Sequence, residues 1–341
     1  MSSVMKREIL ATPALLPKTR AGCELVCREL AELVRSRGIR QIFLACRGSS
    51  ENAGVYFRYL CGIDCHLSVT VLDLSVVTLY GSYVDMSGGL LLAVSQGGQG
   101  VDIRLVVEEA KRQGVPTAAV TNFPDSPIGA LCDYVLPLCV ELEESMAATK
   151  SFTAELYALW LLDRAIRGGG AAPDPAAAFR KGLAVADAVP AACAFLDGDR
   201  PCYVLGRGKL LALAREACCK LQETCLISAF PFSAAAFLHG PFALVECGSR
   251  AVVLHSKYAC SESTRGMIAS LLAQGAEVLA ISDDESVAEL GCRALLVETD
   301  SEDESVFAMT AAVQLLAADL AEIRGTDPDA SRNLNKYTET V

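Results

Sequence analysis

The chain has 341 residues, of which 52% are hydrophobic, and a formal net charge of −11. This length suits two α/β domains or one large one, and the apolar content supplies a sizeable core, which excludes a largely disordered chain. The negative charge disfavours nucleic acid and anionic membranes as partners, because both attract Lys and Arg, but a small phosphate held by local groups remains compatible with it.

The apolar runs of the first half alternate with helical patterns. The predicted strands are residues 41–45, 66–72, 90–94, 117–120 and 134–138. Helical patterns over 53–60 and 101–113 lie between them, and this rhythm predicts a doubly wound parallel sheet. A long helix over 147–166 follows and ends at a run of three glycines, after which the chain reads as a linker.

A second series of strands follows. The predicted strands are residues 202–205, 251–255, 277–281 and 294–297. The matching strand ends are Arg47-Gly48 with Arg207-Gly208 (offset 160), Ser95 with Ser256 and Asn122 with Asp283 (offset 161 for both). The nearly constant offset predicts a duplicated domain, although two unrelated α/β patterns with regular strand spacing would look similar. The predicted organisation is a helical lead (1–35), a first domain (36–167), a linker (168–184), a second domain (185–325) and a C-terminal tail (326–341).

The fifteen cysteines raise the question of disulfides or a metal site. No Cys-x-x-Cys spacing occurs, and the closest pairs are Cys23/Cys27, Cys61/Cys65 and Cys218/Cys219. Most cysteines lie among Leu, Ala and Val, where a thiol behaves as a small hydrophobic group. We therefore predict reduced thiols, no metal and a cytoplasmic location. The charged first ten residues are unlike a signal sequence, and no apolar run is expected to reach the ~20 residues of a membrane span.

Two predicted strands end in small, glycine-bearing turns that open a helix. These turns are RGSSENA (47–53) and SQGGQG (95–100). Ligands of an open parallel sheet bind beyond the carboxyl ends of its strands, and the backbone N–H groups of such turns suit a phosphate. Ser49 or Ser50 would serve equally well as a simple helix cap, but two such loops at neighbouring strands favour an anion site. Neither loop is a Walker motif or a G-x-G-x-x-G motif, so no nucleotide site is predicted.

The second half contributes ionisable side chains. Lys220 and Glu223 lie three residues apart on a predicted helix, which is typical of a surface ion pair. Because the surrounding segment is apolar, Glu223 is also a candidate base with a raised pKa. His239 lies on a loop before Gly240 and fits a structural or a catalytic role, whereas the polar tail around Lys336 fits a frayed end.

Six motifs in a fixed order carry a family resemblance. They are CRGSSENA (46–53), SQGGQG (95–100), ATKSFTAEL (148–156), CKLQETC (219–225), FLHGPFALV (237–245) and RNLNKYTET (332–340). Together they resemble the isomerase half of glutamine:fructose-6-phosphate aminotransferase, and more closely its stand-alone tandem sugar-isomerase (SIS) relatives, including the second type of glucosamine-6-phosphate deaminase. The resemblance covers nearly the whole chain. It implies two tandem doubly wound, flavodoxin-like SIS domains, each with a parallel five-stranded sheet flanked by helices.

The resemblance also implies roles for individual residues. The implied ligands of the sugar phosphate are Gly48, Ser49, Ser50, Ser95, Gln96, Gly97 and Gly98. Glu223 is implied to be the base that moves a proton between C1 and C2 of the open-chain sugar, with Lys220 supporting it. His239 is implied to assist ring opening from the neighbouring subunit of a homodimer, and Lys336 to contact the sugar carbonyl from a tail that reaches the active site. No metal or organic cofactor is implied.

The departures from the family pattern shape the functional prediction. Gly97 and Gly100 stand where the family has serine and threonine, and the loss of two hydroxyl hydrogen bonds at ~0.5–1.5 kcal/mol each would weaken phosphate binding about tenfold unless backbone N–H groups compensate. Ala148 also replaces a serine. Because the chain carries no glutaminase domain, we predict breakdown rather than synthesis, by an amino-sugar-phosphate deaminase/isomerase acting on glucosamine 6-phosphate or a close analogue. The alternatives are a fructosamine-phosphate deglycase and a non-catalytic phosphosugar sensor.

Overall fold

The fold is given by a computed structural model that describes residues 2–169, 174–330, 332–334 and 336. These residues form two compact units. The N-terminal unit comprises residues 15–143, 150–169, 334 and 336, and the C-terminal unit comprises residues 2–14, 144–149, 174–330, 332 and 333. The expected helical lead (1–35) is therefore shared between the two units, and the described part of the expected tail (326–341) is shared as well.

The N-terminal unit is built on a parallel five-stranded sheet in the order β2-β1-β3-β4-β5. Its strands are β1 (Gln41–Cys46), β2 (Ser68–Val71), β3 (Leu90–Val94), β4 (Thr117–Thr121) and β5 (Tyr134–Pro137). The helices of this region are α1 (Val4–Ser36), α2 (Gly48–Leu60), α3 (Ser75–Thr78), α4 (Val101–Arg112), α5 (Pro127–Leu131) and α6 (Lys150–Arg167). Every residue of β3 and β4 is buried, because helices cover both faces of a doubly wound sheet and continuous apolar runs fit such strands.

The C-terminal unit repeats this architecture with the order β10-β9-β8-β6-β7. Its strands are β6 (Cys202–Gly206), β7 (Ala229–Ser233), β8 (Arg250–His255), β9 (Glu277–Ser282) and β10 (Arg293–Leu296). Its helices are α7 (Pro175–Leu183), α8 (Val189–Leu196), α9 (Leu210–Cys225), α10 (Ala234–Phe237), α11 (Ser261–Ala273) and α12 (Glu302–Arg324). Read from β7, the order matches that of the first sheet strand for strand. The prediction of two doubly wound, parallel five-stranded sheets is therefore confirmed.

One strand of the second sheet was not predicted. Strand β7 contains Pro231, which argues against a strand in a sequence pattern, and its Phe230 side chain is 46% exposed. The strand lies at the edge and pairs with β6 alone. An edge position tolerates a proline, because one side of the strand needs no ladder hydrogen bonds.

The interpretation of residues 168–184 as a linker is wrong for Pro175–Leu183, which form helix α7. The Asp174 side chain caps this helix by accepting a hydrogen bond from the Ala176 N–H (2.9 Å). Pro175 occupies the first turn, where proline's fixed φ fits and its missing N–H is not needed. The proline that suggested a linker is therefore a helix start.

Helix α12 is long and apolar enough to cross a membrane by length and composition, so the prediction that no apolar run reaches that length is wrong for this helix. In the folded chain, 83% of its most apolar stretch is buried inside the protein. Helices α7, α8 and α9 pack against it. The helix therefore serves as the central core helix of the C-terminal unit.

A buried carboxyl group in the N-terminal unit makes stability depend on pH. Asp163 of α6 is 1% exposed, and one of its oxygens accepts a hydrogen bond from the Cys65 thiol (3.2 Å). Burial raises the pKa of Asp163 from 3.8 to about 7. Between these pH values the folded chain holds a proton that the unfolded chain releases, so the free energy of unfolding falls as pH rises through this window.

We expect Asp163→Asn to remove this pH dependence, because an amide has the shape of the protonated acid but cannot ionise. At pH 8 the variant should gain up to about 4 kcal/mol of unfolding free energy relative to the wild type, and at pH 4 the two should be nearly equal. Urea denaturation at both pH values measures the difference. A wild type and variant with the same pH dependence would contradict the expectation.

Candidate active site

The two glycine-bearing loops lie at one edge of the first sheet. Strands β1 and β3 are neighbours, and the strand order reverses between them, which is where doubly wound sheets bind ligands. Gly48, at the start of α2, has φ +54°, and Gly98, before α4, has φ +62°. These left-handed conformations favour glycine and turn each chain sharply from strand to helix. The structure thus brings together the predicted ligands Gly48, Ser49, Ser50, Ser95, Gln96, Gly97 and Gly98.

The loops are held by hydrogen bonds from neighbouring elements. The Ser50 hydroxyl donates to Glu155 Oε1 of α6 (2.8 Å), and the Glu155 side chain is buried. The Gly98 N–H donates to the carbonyl (3.1 Å) and to the hydroxyl (3.2 Å) of Ser95. The Gln96 carbonyl accepts from the Asn122 N–H (3.0 Å). The loop backbone is therefore fixed before any ligand binds.

The Gln96 side chain carries an unsatisfied donor. Its Nε2 atom is buried and has no hydrogen-bond partner among the described residues. A buried donor without a partner is destabilising by about 1–3 kcal/mol, so such groups are rare unless a ligand or water completes them. The amide of Gln96 is therefore suited to donate to a bound polar molecule at this edge of the sheet.

Three ionisable residues lie on one face of α9 in the C-terminal unit. Lys220 Nζ lies 3.2 Å from Glu216 Oε1 and 3.0 Å from Glu223 Oε2. The exposed fractions of the side chains are 0% for Lys220, 2% for Glu216 and 30% for Glu223. Burial lowers the pKa of Lys220, but the attraction of the two carboxylates outweighs it and holds that pKa above its usual value. This is a buried cation between two acids rather than a surface ion pair.

Glu223 opens onto a cavity of about 190 Å³. The other lining residues are Thr224, Leu226, Gly325, Thr326, Asp327, Ala330 and Arg332. The segment that follows α12 is fixed at the end of α9, because the Thr326 hydroxyl donates to the Thr224 carbonyl (2.6 Å) and Arg324 Nε donates to the Cys225 carbonyl (2.8 Å). A partly exposed carboxylate that is held by a buried cation is well placed to take and return a proton.

The structure does not bring His239 to Glu223 or Lys220. His239 is exposed on the loop after α10, its backbone N–H donates to the Ala236 carbonyl (3.0 Å), and its imidazole hydrogen-bonds to no residue that the structure describes. The neighbouring Leu238 and Leu244 are 55% and 67% exposed. A role for His239 from a neighbouring subunit stays a prediction.

Lys336 is held in the N-terminal unit and is not a frayed end. Its Nζ lies 3.9 Å from Glu143 Oε2, and the Glu143 side chain is 1% exposed. The same carboxylate accepts hydrogen bonds from the N–H (3.3 Å) and the hydroxyl of Ser151. Sequence reasoning missed both Glu143 and Glu155, although acids within otherwise apolar, buried segments are a usable signal. Within the described ranges, no group of His, Cys, Asp or Glu side chains is arranged to hold a metal ion.

The family model of the SIS domain matches residues 37–163, which contain all five strands of the first sheet and both loops. This chain is an SIS-domain protein. It is 30% identical over 309 residues to the glutamine–fructose-6-phosphate aminotransferase (isomerizing) of Caulobacter vibrioides, an alignment that covers 86% of this chain and 51% of that protein. The chain thus spans about half the length of the curated relatives it matches.

Solved structures show the same fold over both units of this SIS-domain protein. The C-terminal domain of glucosamine-fructose-6-phosphate aminotransferase from Francisella tularensis has a TM-score of 0.86 at 22% identity, covering 96% of this chain and 98% of that one. Glucosamine-6-phosphate deaminase from Thermotoga maritima has a TM-score of 0.78 at 21% identity, covering 99% and 100%. The expectation of two tandem SIS domains is confirmed.

The two SIS sheets differ at the edge where the loops lie. In the second sheet, the Asp283 carboxylate accepts hydrogen bonds from the Ser256 hydroxyl (3.0 Å) and the Lys257 N–H (2.7 Å). Asn122 stands at the matching position of the first sheet and carries no charge. The second SIS loop therefore binds an anion supplied by its own chain, whereas the first loop keeps an unsatisfied donor on Gln96.

We expect Gly98→Ala to disrupt the first SIS loop. A Cβ atom on Gly98 would lie 1.9 Å from Ser126 Oγ, which caps helix α5. Together with the left-handed φ, this clash should lower the free energy of unfolding by about 2 kcal/mol or more. Urea denaturation measures this effect, and calorimetry with inorganic phosphate should show weaker binding.

Gly100→Ala is the matched control. Gly100 has φ −57°, and a Cβ atom there would lie 3.3 Å from Asp102 Oδ1, so this carboxylate would need to shift by only a few tenths of an ångström. We expect a change below about 1 kcal/mol, since alanine fits this conformation. Equal losses in the two variants would show that the left-handed turn at Gly98 is not needed.

Proposed function

We propose that this SIS-domain protein is an amino-sugar-phosphate deaminase/isomerase that acts on glucosamine 6-phosphate or a close analogue. The observation that carries the proposal is Glu223, a partly exposed carboxylate held 3.0 Å from a buried lysine at the rim of a cavity. Proton transfer next to a carbonyl needs a positioned base of this kind. The similarity to aminotransferases and a deaminase that act on such sugars supports the choice of substrate.

The proposed reaction begins with the open-chain amino sugar. Glu223 removes the proton from C2, which gives an enolamine, and returns it to C1, which leaves a protonated imine at C2. Water adds to this imine, ammonium leaves, and the product is the ketose 6-phosphate. Lys336 carries the positive charge that stabilises the enolamine oxygen, and Lys220 keeps the Glu223 carboxylate in place.

The phosphate is assigned to the loops that follow β1 and β3. Ser49, Ser95 and the Gln96 amide supply polar side-chain groups, and Gly97 and Gly98 allow backbone N–H groups to approach the phosphate. Ser50, whose hydroxyl donates to Glu155, holds the first loop in place. His239 is assigned to ring opening within a cytoplasmic homodimer, in line with its exposed imidazole and the exposed Leu238 and Leu244 beside it. Equilibrium sedimentation at micromolar concentration tests the dimer.

Ammonia release from a substrate panel tests the proposed function. The panel contains glucosamine 6-phosphate, its galacto epimer, fructosamine 6-phosphates and glucose 6-phosphate. We expect ammonia and ketose 6-phosphate in equal amounts from an amino-sugar phosphate. Release of an amino acid from fructosamine phosphates alone would identify a deglycase, and isomerisation without ammonia would identify a plain isomerase. Binding of every sugar without turnover would identify a sensor.

A further inference from the structure

We propose that Arg47 is a charged phosphate ligand at the edge of the first sheet and that Asp102 positions it. This inference deepens the proposed function and rests on it for the identity of the sugar. The chemical class it specifies is a phosphate monoester dianion, which a guanidinium binds through two parallel N–H···O hydrogen bonds.

The geometry links Arg47 to both loops. Arg47 lies between β1 and α2, directly before Gly48, and its Nε donates to Asp102 Oδ2 (3.0 Å). Asp102 lies in the first turn of α4, the helix that follows the second loop, and its side chain is 2% exposed. A buried carboxylate at the start of α4 therefore anchors the guanidinium that precedes α2.

The rest of the guanidinium is open to a ligand. The Arg47 side chain is 53% exposed, and its two Nη groups hydrogen-bond to no residue that the structure describes. An arginine that is bound through Nε keeps both Nη groups as donors, and the fixed fork then loses little freedom when it binds a phosphate. The anchored side chain is thus organised before binding.

The chemistry of the loops calls for such a cation. Arg47 is the only Lys or Arg in the two loop sequences RGSSENA (47–53) and SQGGQG (95–100). Gly97 and Gly100 supply no hydroxyl groups, and the net charge of the chain is −11. A charge-assisted hydrogen bond is about twice as strong as a neutral one, so one anchored guanidinium offsets the hydroxyls that these glycines lack.

In the second repeat, the arginine that matches Arg47 is not anchored by a carboxylate. Arg207 matches Arg47, and Glu262 matches Asp102, since α4 and α11 begin 160 residues apart. The Arg207 side chain, however, makes no hydrogen bond or ion pair with any residue that the structure describes. Ser256 of the same repeat already donates to Asp283. The anchored arginine and the open loop therefore occur together in the first repeat only, and Arg207 offers a matched control for Arg47.

Four variants test the proposal: Arg47→Gln, Arg47→Lys, Asp102→Asn and the control Arg207→Gln. The probes are inorganic phosphate, glucosamine 6-phosphate and unphosphorylated glucosamine, with Kd measured by titration calorimetry. We expect Arg47→Gln to raise the Kd of both phosphate-bearing probes at least tenfold, Asp102→Asn about three- to tenfold, and Arg207→Gln less than twofold. Arg47→Lys should recover only part of the loss, because an ammonium lacks the planar fork.

Several results would overturn the proposal. They are a Kd for inorganic phosphate that is the same in Arg47→Gln and Arg207→Gln, an equal weakening of glucosamine binding, or no phosphate binding by the wild type. Urea denaturation of each variant excludes unfolding as the cause. The phosphate measurement does not depend on turnover, so a wild type that releases no ammonia would refute the deaminase while the tenfold loss in Arg47→Gln still supports the role of Arg47.

Discussion

Glu223→Gln is expected to lower kcat for ammonia release by about 10³-fold, because it removes the group that transfers the proton. Glutamine has the same shape and can still accept a hydrogen bond from Lys220, and Glu216 still balances the buried charge. The fold and the affinity for sugar phosphate should therefore change little, with Kd within about threefold of the wild type. Initial rates at saturating glucosamine 6-phosphate and calorimetric titration measure the two quantities.

Glu262→Gln provides the matched control, since Glu262 is an exposed acid on α11 of the same unit. Its kcat should equal that of the wild type within error. If Glu223→Gln kept more than about a tenth of the wild-type kcat, Glu223 would not be the base. If it lost affinity and rate together, Glu223 would act in binding instead of proton transfer.

Lys220→Met should lower the free energy of unfolding by about 3–5 kcal/mol, because it removes the buried cation that lies between the Glu216 and Glu223 carboxylates. The Lys220 and Glu216 side chains are 0% and 2% exposed and lie 3.2 Å apart. Methionine fills a similar volume, so the loss reports the missing cation more than a cavity. The loss is a large part of the ~5–15 kcal/mol by which domains are stable. Urea denaturation at pH 7 measures it.

A second substitution separates charge from packing. In the Lys220→Met background, Glu216→Gln removes the buried negative charge that Lys220 balances in the wild type, and it should recover at least about half of the lost stability. The surface control is Lys18→Met, whose lysine is 58% exposed and lies 3.7 Å from Glu141. This pair should contribute less than about 1 kcal/mol. If Lys18→Met and Lys220→Met lowered the free energy of unfolding equally, burial would not be the reason why Lys220 stabilises the fold.

The apolar pattern of the sequence predicts buried strands well and edge strands poorly. Strands β1, β3 and β4 are continuous apolar runs, and the predicted bounds differ from the observed ones by at most one residue. Strand β7 was missed because it contains Pro231, which only an edge strand tolerates. The offset between the two repeats nevertheless gives its position. Adding 161 to the number of Ser68, the first residue of β2, gives Ala229, the first residue of β7.

The candidate site was only partly accessible from the sequence. The loops and the Lys220–Glu223 pair were predicted, because a strand end and a spacing of three on a helix fix local position. The acids Glu155, Asp102 and Glu143, which pair with Ser50, Arg47 and Lys336, were not predicted, because each comes from a segment far along the chain from its partner. Ser50 and Glu155, for instance, are 105 residues apart in sequence.

The sequence alone determined the α/β class, the duplication and the chemical types available at the strand ends, because periodicity and motif spacing are local properties. Only the tertiary structure decided how deeply each polar group is buried. It placed Lys220 between two acids away from solvent, left the Gln96 amide without a partner, and let Asp283 occupy the loop of the second repeat. Burial and pairing depend on elements that meet only when the chain folds, and they set the charge state and the binding capacity of each group.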